Sequence, residues 1–196
     1  MKIISHRGYW EKPSQQNTLE ALFLGLVYSD GIELDLRMYN RKIVVSHDSI
    51  CSPEKILYFE DLIKLEKQLP NKLWALNIKE DGIAESLVKI LKLYPSLNYF
   101  CFDMSFPETV KYIRHNLKIA SRLSDLENEN IFISEHSDFY LIDSFYKVNK
   151  PPVKFRKNLF LISSELHNKN YAINDMYDEE TFNEIFLCTD KVSELC

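Results

Sequence analysis

The sequence predicts an α/β fold, an abbreviated (β/α)8 TIM barrel with a β-hairpin extension after its second strand. Short apolar runs alternate with helical patterns, eight strands can be counted in this way, and polar residues follow the strands at their ends. Barrels of this kind typically have about 250 residues. A chain of 196 residues therefore leaves room for only a thin layer of helices, and we expect a single domain over residues 1–196.

The main alternative is an open, doubly wound sheet. Such a sheet normally has a glycine-rich phosphate loop after its first strand, and this chain has only four glycines. The segments 126–136 and 147–157 are too polar or too interrupted by proline for full helices. These observations favour the abbreviated barrel.

The first strand is predicted at 2–6, and Gly8 then allows a sharp turn. Asn17 is well placed to cap a first helix, because Glu20 follows three residues later. The spacing of five residues predicts the apolar face of that helix: Leu19, Leu22, Phe23, Leu26 and Val27. The pair Asp30-Gly31 ends it.

The second strand is predicted at 32–38, where apolar residues alternate with charged ones. Residues 40–42 are expected to form a turn, and the apolar run 43–45 returns as the second arm of a hairpin. We count this arm together with the second strand.

The rest of the chain repeats the order of apolar strand, polar strand end, and helix or loop. The remaining strands are predicted at 73–78, 99–104, 118–123, 139–145, 158–164 and 184–189. Helices are predicted at 59–69, at 83–94 and from Ser105 onwards.

Charge and the length of apolar runs argue against a nucleic acid partner and against a membrane span. The net charge is −5 with acidic and basic residues interspersed, so we expect no nucleic acid partner. No apolar run approaches the roughly 18 to 20 residues needed to cross a bilayer, so we expect no membrane span. The N-terminus shows no export signal, and we expect a cytoplasmic protein. The sequence leaves the oligomeric state open.

Four cysteines occur at positions 51, 101, 188 and 196 without a CxxC pair. In a chain without an export signal they are expected to be free thiols. Cys101 and Cys188 lie within apolar runs and are expected in the core.

Polar residues with acid, base or ligand chemistry follow the predicted strands. They are His6 and Arg7 after the first, Glu33 and Asp35 on the second, His47 after its hairpin arm, Asn77 and Lys79 at the third, and Asp103 at the fourth. In a parallel barrel the carboxyl ends of all strands meet at one rim, where active sites are built. The sequence therefore predicts a functional rim.

Glu33 and Asp35 are two residues apart on one strand, so their side chains point to the same side. Two carboxylates facing into a barrel repel each other unless a cation lies between them. Carboxylate, amide and water oxygens favour one Mg²⁺ or Ca²⁺ ion, or Mn²⁺, over zinc. Arg7 and Lys79 indicate an anion, for which phosphate is suitable.

His6 and His47 suit the cleavage of a phosphoester, in which one imidazole removes a proton from the nucleophile and the other protonates the leaving group. The order of the two is open. Taken alone, His6 could be a buried core histidine, and the Glu33-Asp35 pair could belong to a solvated strand face. Because they occur together at successive strand ends, these residues indicate a functional site and not isolated structural residues.

Four segments in the first quarter of the chain resemble the successive motifs of the glycerophosphodiester phosphodiesterase family. They are His6-Arg7-Gly8, Asn17-Thr18-Leu19-Glu20-Ala21, Gly31-Ile32-Glu33-Leu34-Asp35 and Val44-Val45-Ser46-His47-Asp48. The match in the later part of the chain, at 76–79, 102–105, 164–167 and 188–190, is looser. These later segments look like a small bacterial branch of the family. The resemblance implies a barrel enzyme of the phosphatidylinositol-phosphodiesterase-like superfamily.

The resemblance also implies roles for individual residues. It matches His6 and His47 with the catalytic histidines, Glu33 and Asp35 with metal ligands, Arg7 with the phosphate-contacting arginine, and Lys79 with the lysine that ends strand three.

Two features depart from the family pattern. Asn77 stands where the family has a metal-binding glutamate, and its amide oxygen can still bind Mg²⁺ or Ca²⁺ with one negative charge fewer. Asp103 either restores that charge or caps the helix that starts at Ser105. The passage between Asp48 and Phe59 is shorter than in typical members, so the substrate alcohol is open.

Further candidates for substrate contact lie elsewhere along the rim. Trp10 either walls the pocket or packs under a loop. Arg122, Glu165 and His167 stand near strand ends, as does Asp143, and they either contact the alcohol part of a diester or form plain surface ion pairs.

The sequence thus predicts a divalent-metal-dependent phosphodiester hydrolase acting on a small soluble glycerophosphodiester-like substrate. Either a substrate hydroxyl attacks first and gives a cyclic phosphate, or water attacks directly. Two alternatives stay open. One is a sphingomyelinase-D-like lyase that stops at the cyclic phosphate, and the other is a phospho-ligand-binding domain that has lost turnover.

Overall fold

The computed structural model of the protein describes residues 1–50, 56–146, 153–170 and 172–195. Cys51 and Cys196, predicted to be free thiols, lie outside the described residues, as do parts of the segments 48–59 and 147–157. Within the described ranges, none of the helices is long and apolar enough to cross a membrane.

Strands and helices alternate along the described chain. The strands are β1 (Lys2–His6), β2 (Gly31–Tyr39), β3 (Lys42–Val45), β4 (Leu73–Ile78), β5 (Asn98–Phe102), β6 (Ala120–Ser124), β7 (Phe139–Asp143), β8 (Asn158–Ile162) and β9 (Ile185–Thr189). The α-helices are α1 (Leu19–Tyr28), α2 (Phe59–Leu62), α3 (Ala84–Leu91), α4 (Phe106–Arg114), α5 (Ile131–His136) and α6 (Val192–Leu195). Every predicted strand is present, with ends that differ by at most two residues.

Eight of the strands form a parallel sheet in the order β5-β4-β2-β1-β9-β8-β7-β6. Its edges, β5 and β6, approach each other through one bridge between Cys101 and Ile119. The Cys101 amide also donates a hydrogen bond to the Lys118 carbonyl at 2.9 Å. The sheet is therefore a nearly closed barrel, which confirms the predicted (β/α)8 fold. We refer to the line between β5 and β6 as the seam.

The predicted hairpin extension is confirmed. β3 pairs antiparallel with the last four residues of β2. The turn residues Asn40 and Arg41 both have a left-handed backbone, with φ of 48° and 63°, as the tight turns of two-residue hairpins require. The Ser46 amide then donates to the Asp35 carbonyl at 2.9 Å, so the chain after β3 returns beside β2.

The predicted cap of α1 is wrong. The helix is capped by Thr18, whose hydroxyl accepts a hydrogen bond from the Ala21 amide at 3.2 Å. Asn17, the predicted cap, has φ of 57°, and its side chain donates to Asp35 instead. A local capping pattern has been overridden here by a contact between distant parts of the chain.

The buried face of α1 also differs from the predicted apolar stripe. Its buried residues are Ala21, Leu22, Gly25 and Leu26, whereas Leu19, Phe23 and Val27 are exposed. A Cβ atom at Gly25 would lie 2.5 Å from the Ser5 hydroxyl oxygen, so the helix packs on β1 through small residues. Close approach, and not hydropathy alone, decides which face is buried.

The outer layer is thin, as the chain length predicts. α2 has four residues and is continued by the 3-10 helix Ile63–Lys67, and α5 has only six residues. Between β8 and β9 the described chain forms 3-10 helices at Ser164–His167, Ile173–Asp175 and Glu179–Thr181.

Aromatic side chains fill much of the barrel interior. Phe100 stacks on Phe139 with ring centroids 4.3 Å apart and meets Phe160 edge-on at 4.9 Å. Cys188 belongs to this inner cluster, and Cys101 belongs to the cluster between the sheet and the helices. Both are buried free thiols, as predicted.

Candidate active site

Six of the predicted site residues come together where three neighbouring strands end. They are His6, Arg7, Glu33, Asp35, Asn77 and Lys79. The parallel register pairs His6 of β1 with Glu33 of β2, and Asp35 of β2 with Asn77 of β4. The rim expected from the sequence is therefore built by the ends of β1, β2 and β4.

His6 is held between two acids. Its Nδ1 lies 2.7 Å from Asp190 Oδ1, and its Nε2 lies 3.9 Å from Glu33 Oε2. Burial lowers the pKa of His6, but the hydrogen bond with Asp190 and the charge of Glu33 outweigh it, so the pKa lies above its ordinary value. The imidazole is thus oriented with Nδ1 towards Asp190 and Nε2 towards Glu33.

Glu33 is buried and accepts two hydrogen bonds. Asn77 Nδ2 donates to Oε1 at 3.1 Å, and the Arg7 backbone amide donates to Oε2 at 3.2 Å. Burial, followed by the charge of Asp35, raises the pKa of Glu33 to about 7. A buried carboxyl in this position is stabilised as an anion by any cation placed beside it.

Asp35 is fully buried between cations. Arg7 Nε lies 2.9 Å from its Oδ2, and Lys79 Nζ lies 3.3 Å from its Oδ1. The Arg7 contact is an ion pair without hydrogen-bond alignment. Asn17 Nδ2 donates to Oδ2 at 2.8 Å. Asp35 therefore positions the two cations that are predicted to contact phosphate.

Two buried oxygens at this rim, Asn77 Oδ1 and Asp35 Oδ1, accept no hydrogen bond from the described residues. Together with Glu33, their side chains form a donor set of two carboxylates and one amide, which suits Mg²⁺ or Ca²⁺. The described residues contain no group of three or more His, Cys, Asp or Glu that could hold a metal ion. A hard divalent ion at this rim would therefore need the Asn77 amide beside the two carboxylates.

His47 lies apart from His6. It follows β3, its side chain is 44% exposed, and its Nδ1 lies 2.9 Å from Asp48 Oδ1. With Arg7 and Asn17 it lines a cavity of about 610 Å³. His6 is not among the described residues that line this cavity. The structure thus places His47 at the same opening as Arg7, on the exposed side of the rim.

Trp10 supports the turn that carries Arg7. Its Nε1 donates a hydrogen bond to the His6 carbonyl at 3.0 Å. With Tyr9 and Thr18 it lines a separate cavity of about 210 Å³. Trp10 therefore packs under the loop after β1.

A second polar group lies at the seam and beyond it. Arg122 Nη1 lies 2.8 Å from Asp103 Oδ1, and its Nη2 lies 3.6 Å from Asp143 Oδ2. His167 Nε2 lies 2.5 Å from Asp143 Oδ1, and its ring centroid is 4.7 Å from that of Phe145. Burial raises the pKa of Asp143 above its ordinary value, against the opposing hydrogen bond with His167. These charges form a connected network and are not isolated surface pairs.

The sequence predicts either a metal ligand or a helix cap at Asp103. The Asp103 carboxylate pairs with Arg122 across the seam, and its role as a metal ligand stays a prediction. The N-cap of α4 is Ser105, whose hydroxyl accepts a hydrogen bond from the Glu108 amide at 3.4 Å.

Glu165 joins the ends of two neighbouring strands, β8 and β9. It follows β8 and accepts hydrogen bonds from the hydroxyls of Ser163 and Thr189. Thr189 ends β9 and directly precedes Asp190, the partner of His6. Glu165 therefore ties the end of β8 to the strand end that supports His6.

Sequence reasoning gave no role in the site to three residues that the structure places there. Asp190 directly follows the last strand, so the rule that placed other acids at strand ends would have found it. Asn17 begins one of the segments that resemble the family, but its position before a helix led to its interpretation as a cap. Gln16, whose Oε1 accepts a hydrogen bond from Arg7 Nη1 at 3.1 Å, lies in a polar loop without a motif.

The fold is shared with two solved structures. The chain is similar to a glycerophosphodiester phosphodiesterase from Parabacteroides distasonis, with a TM-score of 0.59 and 18% identity over 98% of this chain and 94% of that one. It is also similar to a glycerophosphodiester phosphodiesterase from Agrobacterium tumefaciens, with a TM-score of 0.62 and 15% identity over 98% of this chain and 97% of that one. No family model and no curated protein matches the chain. At these identities the likeness shows the barrel fold.

Proposed function

We propose that this protein is a phosphodiester hydrolase of the glycerophosphodiester phosphodiesterase type, which cleaves a small soluble glycerophosphodiester with the help of one divalent cation. The observation that carries the proposal is the buried group at the rim, where Asp35 holds Arg7 and Lys79 beside the Glu33–His6 pair. Cations for a phosphate, oxygen donors for a divalent ion and an oriented imidazole meet there. The barrel shared with two glycerophosphodiester phosphodiesterases supports the same activity.

His6 and His47 act as the acid/base pair. Because Asp190 engages His6 Nδ1 at 2.7 Å, Nε2 is the atom that exchanges a proton with the diester. His47 lines the cavity that Arg7 also lines, which supports its acting on a phosphate held by that arginine. One imidazole removes a proton from the attacking hydroxyl or water, and the other protonates the leaving alkoxide.

Arg7 and Lys79 bind the phosphate oxygens. Arg7 is engaged at Nε by Asp35 and at Nη1 by Gln16, which fixes the plane of its guanidinium. Lys79 Nζ is kept at the rim by Asp35 at 3.3 Å. Cations that are already in place when the substrate arrives lower the cost of orienting it and stabilise negative charge that develops on the phosphoryl group.

Glu33, Asp35 and Asn77 hold the divalent cation in this proposal. Such an ion, when bound, offsets the charge on the phosphoryl oxygens. Asn77 supplies an oxygen without a negative charge, which lowers the attraction for the ion and also lowers the repulsion of an anionic substrate.

The second polar group contacts the alcohol part of the substrate. β7 lies opposite β2 in the ring of strands, so Arg122 and His167, which both engage Asp143 at the end of β7, face the rim group across the mouth. Glu165, at the end of β8, offers acceptor oxygens to hydroxyl or amino substituents. Trp10 contributes indirectly by holding the turn that carries Arg7.

The proposal is tested by product release from a panel of glycerophosphodiesters with Mg²⁺, Ca²⁺ or Mn²⁺. We expect cleavage with at least one of these ions, reduced by roughly 100-fold or more in His6→Ala and in His47→Ala. His115→Ala is the matched control, because His115 is exposed at the end of α4. This variant should cleave at the wild-type rate.

Phosphorus NMR of the product distinguishes the chemical routes. A phosphomonoester end product, with or without a transient cyclic phosphate, supports hydrolysis. A cyclic phosphate that accumulates as the end product assigns the protein as a lyase. Cleavage of no diester with any of the three ions, in protein that still binds glycerol phosphate, would overturn the proposal in favour of a ligand-binding domain.

A further inference from the structure

A cavity of about 500 Å³ lies on the flank of the barrel, away from the rim. It is bounded by the hairpin turn, by α2 with its 3-10 continuation, and by α3. Four of its lining residues are cations: Arg41, Lys42, Lys64 and Lys89. We refer to this cavity as the basic groove. None of the residues placed in the catalytic machinery lines it.

Positive charge exceeds negative charge in the basic groove. Its acids among the described residues are Glu60 and Asp61, and Asp61 is engaged by Lys64 at 2.6 Å. Within the described chain, Arg41 and Lys89 have no carboxylate at ion-pair distance. The whole chain has a net charge of −5, so this local excess of cations is opposite in sign to the average surface.

Aromatic and apolar groups border these cations. Lys42 Nζ lies 5.1 Å from the ring centroid of Tyr58, and Tyr94 also lines the groove. Leu93, which also lines the groove, is 75% exposed. A site for a small free anion gains nothing from a protruding leucine. Cations that meet lipid phosphates beside an apolar side chain that enters the acyl boundary are typical of surfaces that bind bilayers.

We propose that the basic groove binds an anionic phospholipid surface. Arg41, Lys42 and Lys89 face the lipid phosphates, and Leu93 enters the boundary between head groups and acyl chains. The groove is built against the turn of the hairpin whose second arm, β3, leads to His47. A docked surface therefore contacts the same hairpin that brings His47 to the rim.

The test uses the full chain in flotation with vesicles of phosphatidylcholine, with and without phosphatidylglycerol. We expect binding to the anionic vesicles and much weaker binding to the neutral ones. Binding to the anionic vesicles should fall as salt is raised, because the contacts between exposed cations and head groups are screened.

Variants locate the binding in the groove. The double variant Arg41→Gln/Lys89→Gln should lower the partition coefficient on anionic vesicles by roughly tenfold or more. Leu93→Ser should lower it as well. The matched control Arg114→Gln/Lys154→Gln removes the same two charge types from exposed positions outside the groove and should bind like wild type. Unchanged thermal denaturation midpoints show that all variants fold.

Three results would overturn the proposal. The first is equal binding to neutral and anionic vesicles. The second is an equal loss of binding in the groove variant and in the control variant. The third is calorimetric binding of inorganic phosphate that Arg41→Gln/Lys89→Gln abolishes, in protein that does not float with anionic vesicles, because the groove then takes a small free anion.

Discussion

Asn17 and Asp35 are joined by a reciprocal pair of hydrogen bonds. Asn17 Nδ2 donates to Asp35 Oδ2 at 2.8 Å, and the Asp35 backbone amide donates to Asn17 Oδ1 at 3.3 Å. Asp35 in turn contacts Arg7 and Lys79. The loop between β1 and α1 is thus fastened to β2 at the carboxylate that positions both cations.

Removal of the Asn17 side chain should reduce activity more than stability. We expect Asn17→Gly to lower kcat/KM for a glycerophosphodiester by about 10- to 100-fold, because Asp35 loses a positioning partner. Glycine accepts the φ of 57° found at this position, so the backbone is kept. Asn17→Asp, which places a second carboxylate against Asp35, should reduce activity further. A wild-type kcat/KM in Asn17→Gly would show that Asp35 is held without Asn17.

Loss of the Asp190 charge should affect the chemical step. Asp190 Oδ1 lies 2.7 Å from His6 Nδ1, and Asp190→Asn removes the negative charge of this partner. The imidazole is then less well oriented and less well stabilised when protonated. We expect kcat to fall by roughly 10- to 100-fold with little change in KM. Glu194→Gln is the control, since Glu194 lies on the exposed face of α6 with Lys191 and should leave the kinetics unchanged. An equal change in both variants would contradict the assigned role of Asp190.

An acid at position 77 should strengthen the binding of a divalent ion. Asn77→Asp loses the hydrogen bond to Glu33 and adds a like charge, which we expect to cost about 2 kcal/mol of stability in the presence of EDTA. Added Mg²⁺ or Ca²⁺ should then raise the denaturation midpoint by more than it does in wild type, because tighter binding to the folded state adds more stability. Asn98→Asp, at the exposed start of β5, serves as the control. If the ion raises the denaturation midpoint of Asn77→Asp no more than that of wild type, Asn77 is not a ligand of the ion.

Two glycine substitutions should differ sharply in their effect on stability. A Cβ at Gly31 would lie 2.1 Å from the Leu73 carbonyl oxygen, whereas a Cβ at Gly82 would have no heavy atom within 4 Å. Gly31→Ala therefore forces β2 and β4 apart and should lower the free energy of unfolding by about 3 kcal/mol or more. Gly82→Ala carries only the backbone strain of its φ of +93° and should cost roughly 1 to 2 kcal/mol. Urea denaturation measures both, and similar losses would contradict the close approach of the two strands at Gly31.

The thiols of Cys101 and Cys188 should not react with alkylating reagents in the folded protein. Both are fully buried, and burial raises the pKa of each thiol well above its ordinary value, so almost no thiolate forms at pH 8. After treatment with iodoacetamide at that pH, mass spectrometry should find neither residue modified in native protein and both modified in denaturant. Labelling of either one in native protein would place it at an opening in the barrel.

The strands could be predicted from the sequence because each apolar run ends in a polar or charged residue that marks the barrel rim. The hairpin after β2 followed from a polar turn between two apolar runs. The choice of contact face on α1 could not be predicted, because it depends on how closely Gly25 lets the helix approach Ser5. Hydropathy describes the preference of a side chain for water or an apolar environment. It carries no information on the distance between the helix and the strand.

The same limit applies to the candidate site. Strand-end position was enough to predict that His6, Glu33 and Asp35 lie together. Their supporting partners are set by which strands pair, since the pairing of β1 with β9 brings Asp190 to His6 across 184 positions of sequence. The pairing of Asp103 with Arg122 depends instead on the closure of the barrel between β5 and β6, because the two residues lie on opposite sides of the seam.

The seam is the least tightly paired line of the barrel, because few contacts join the two edge strands. In the described chain β5 and β6 share one bridge, while every other pair of adjacent strands shares a ladder. The ion pair between Arg122 and Asp103, at 2.8 Å, joins the two sides of the seam at the mouth of the barrel. A ligand group that drew Arg122 away from Asp103 would remove this ion pair from the seam, and we expect the mouth to widen there.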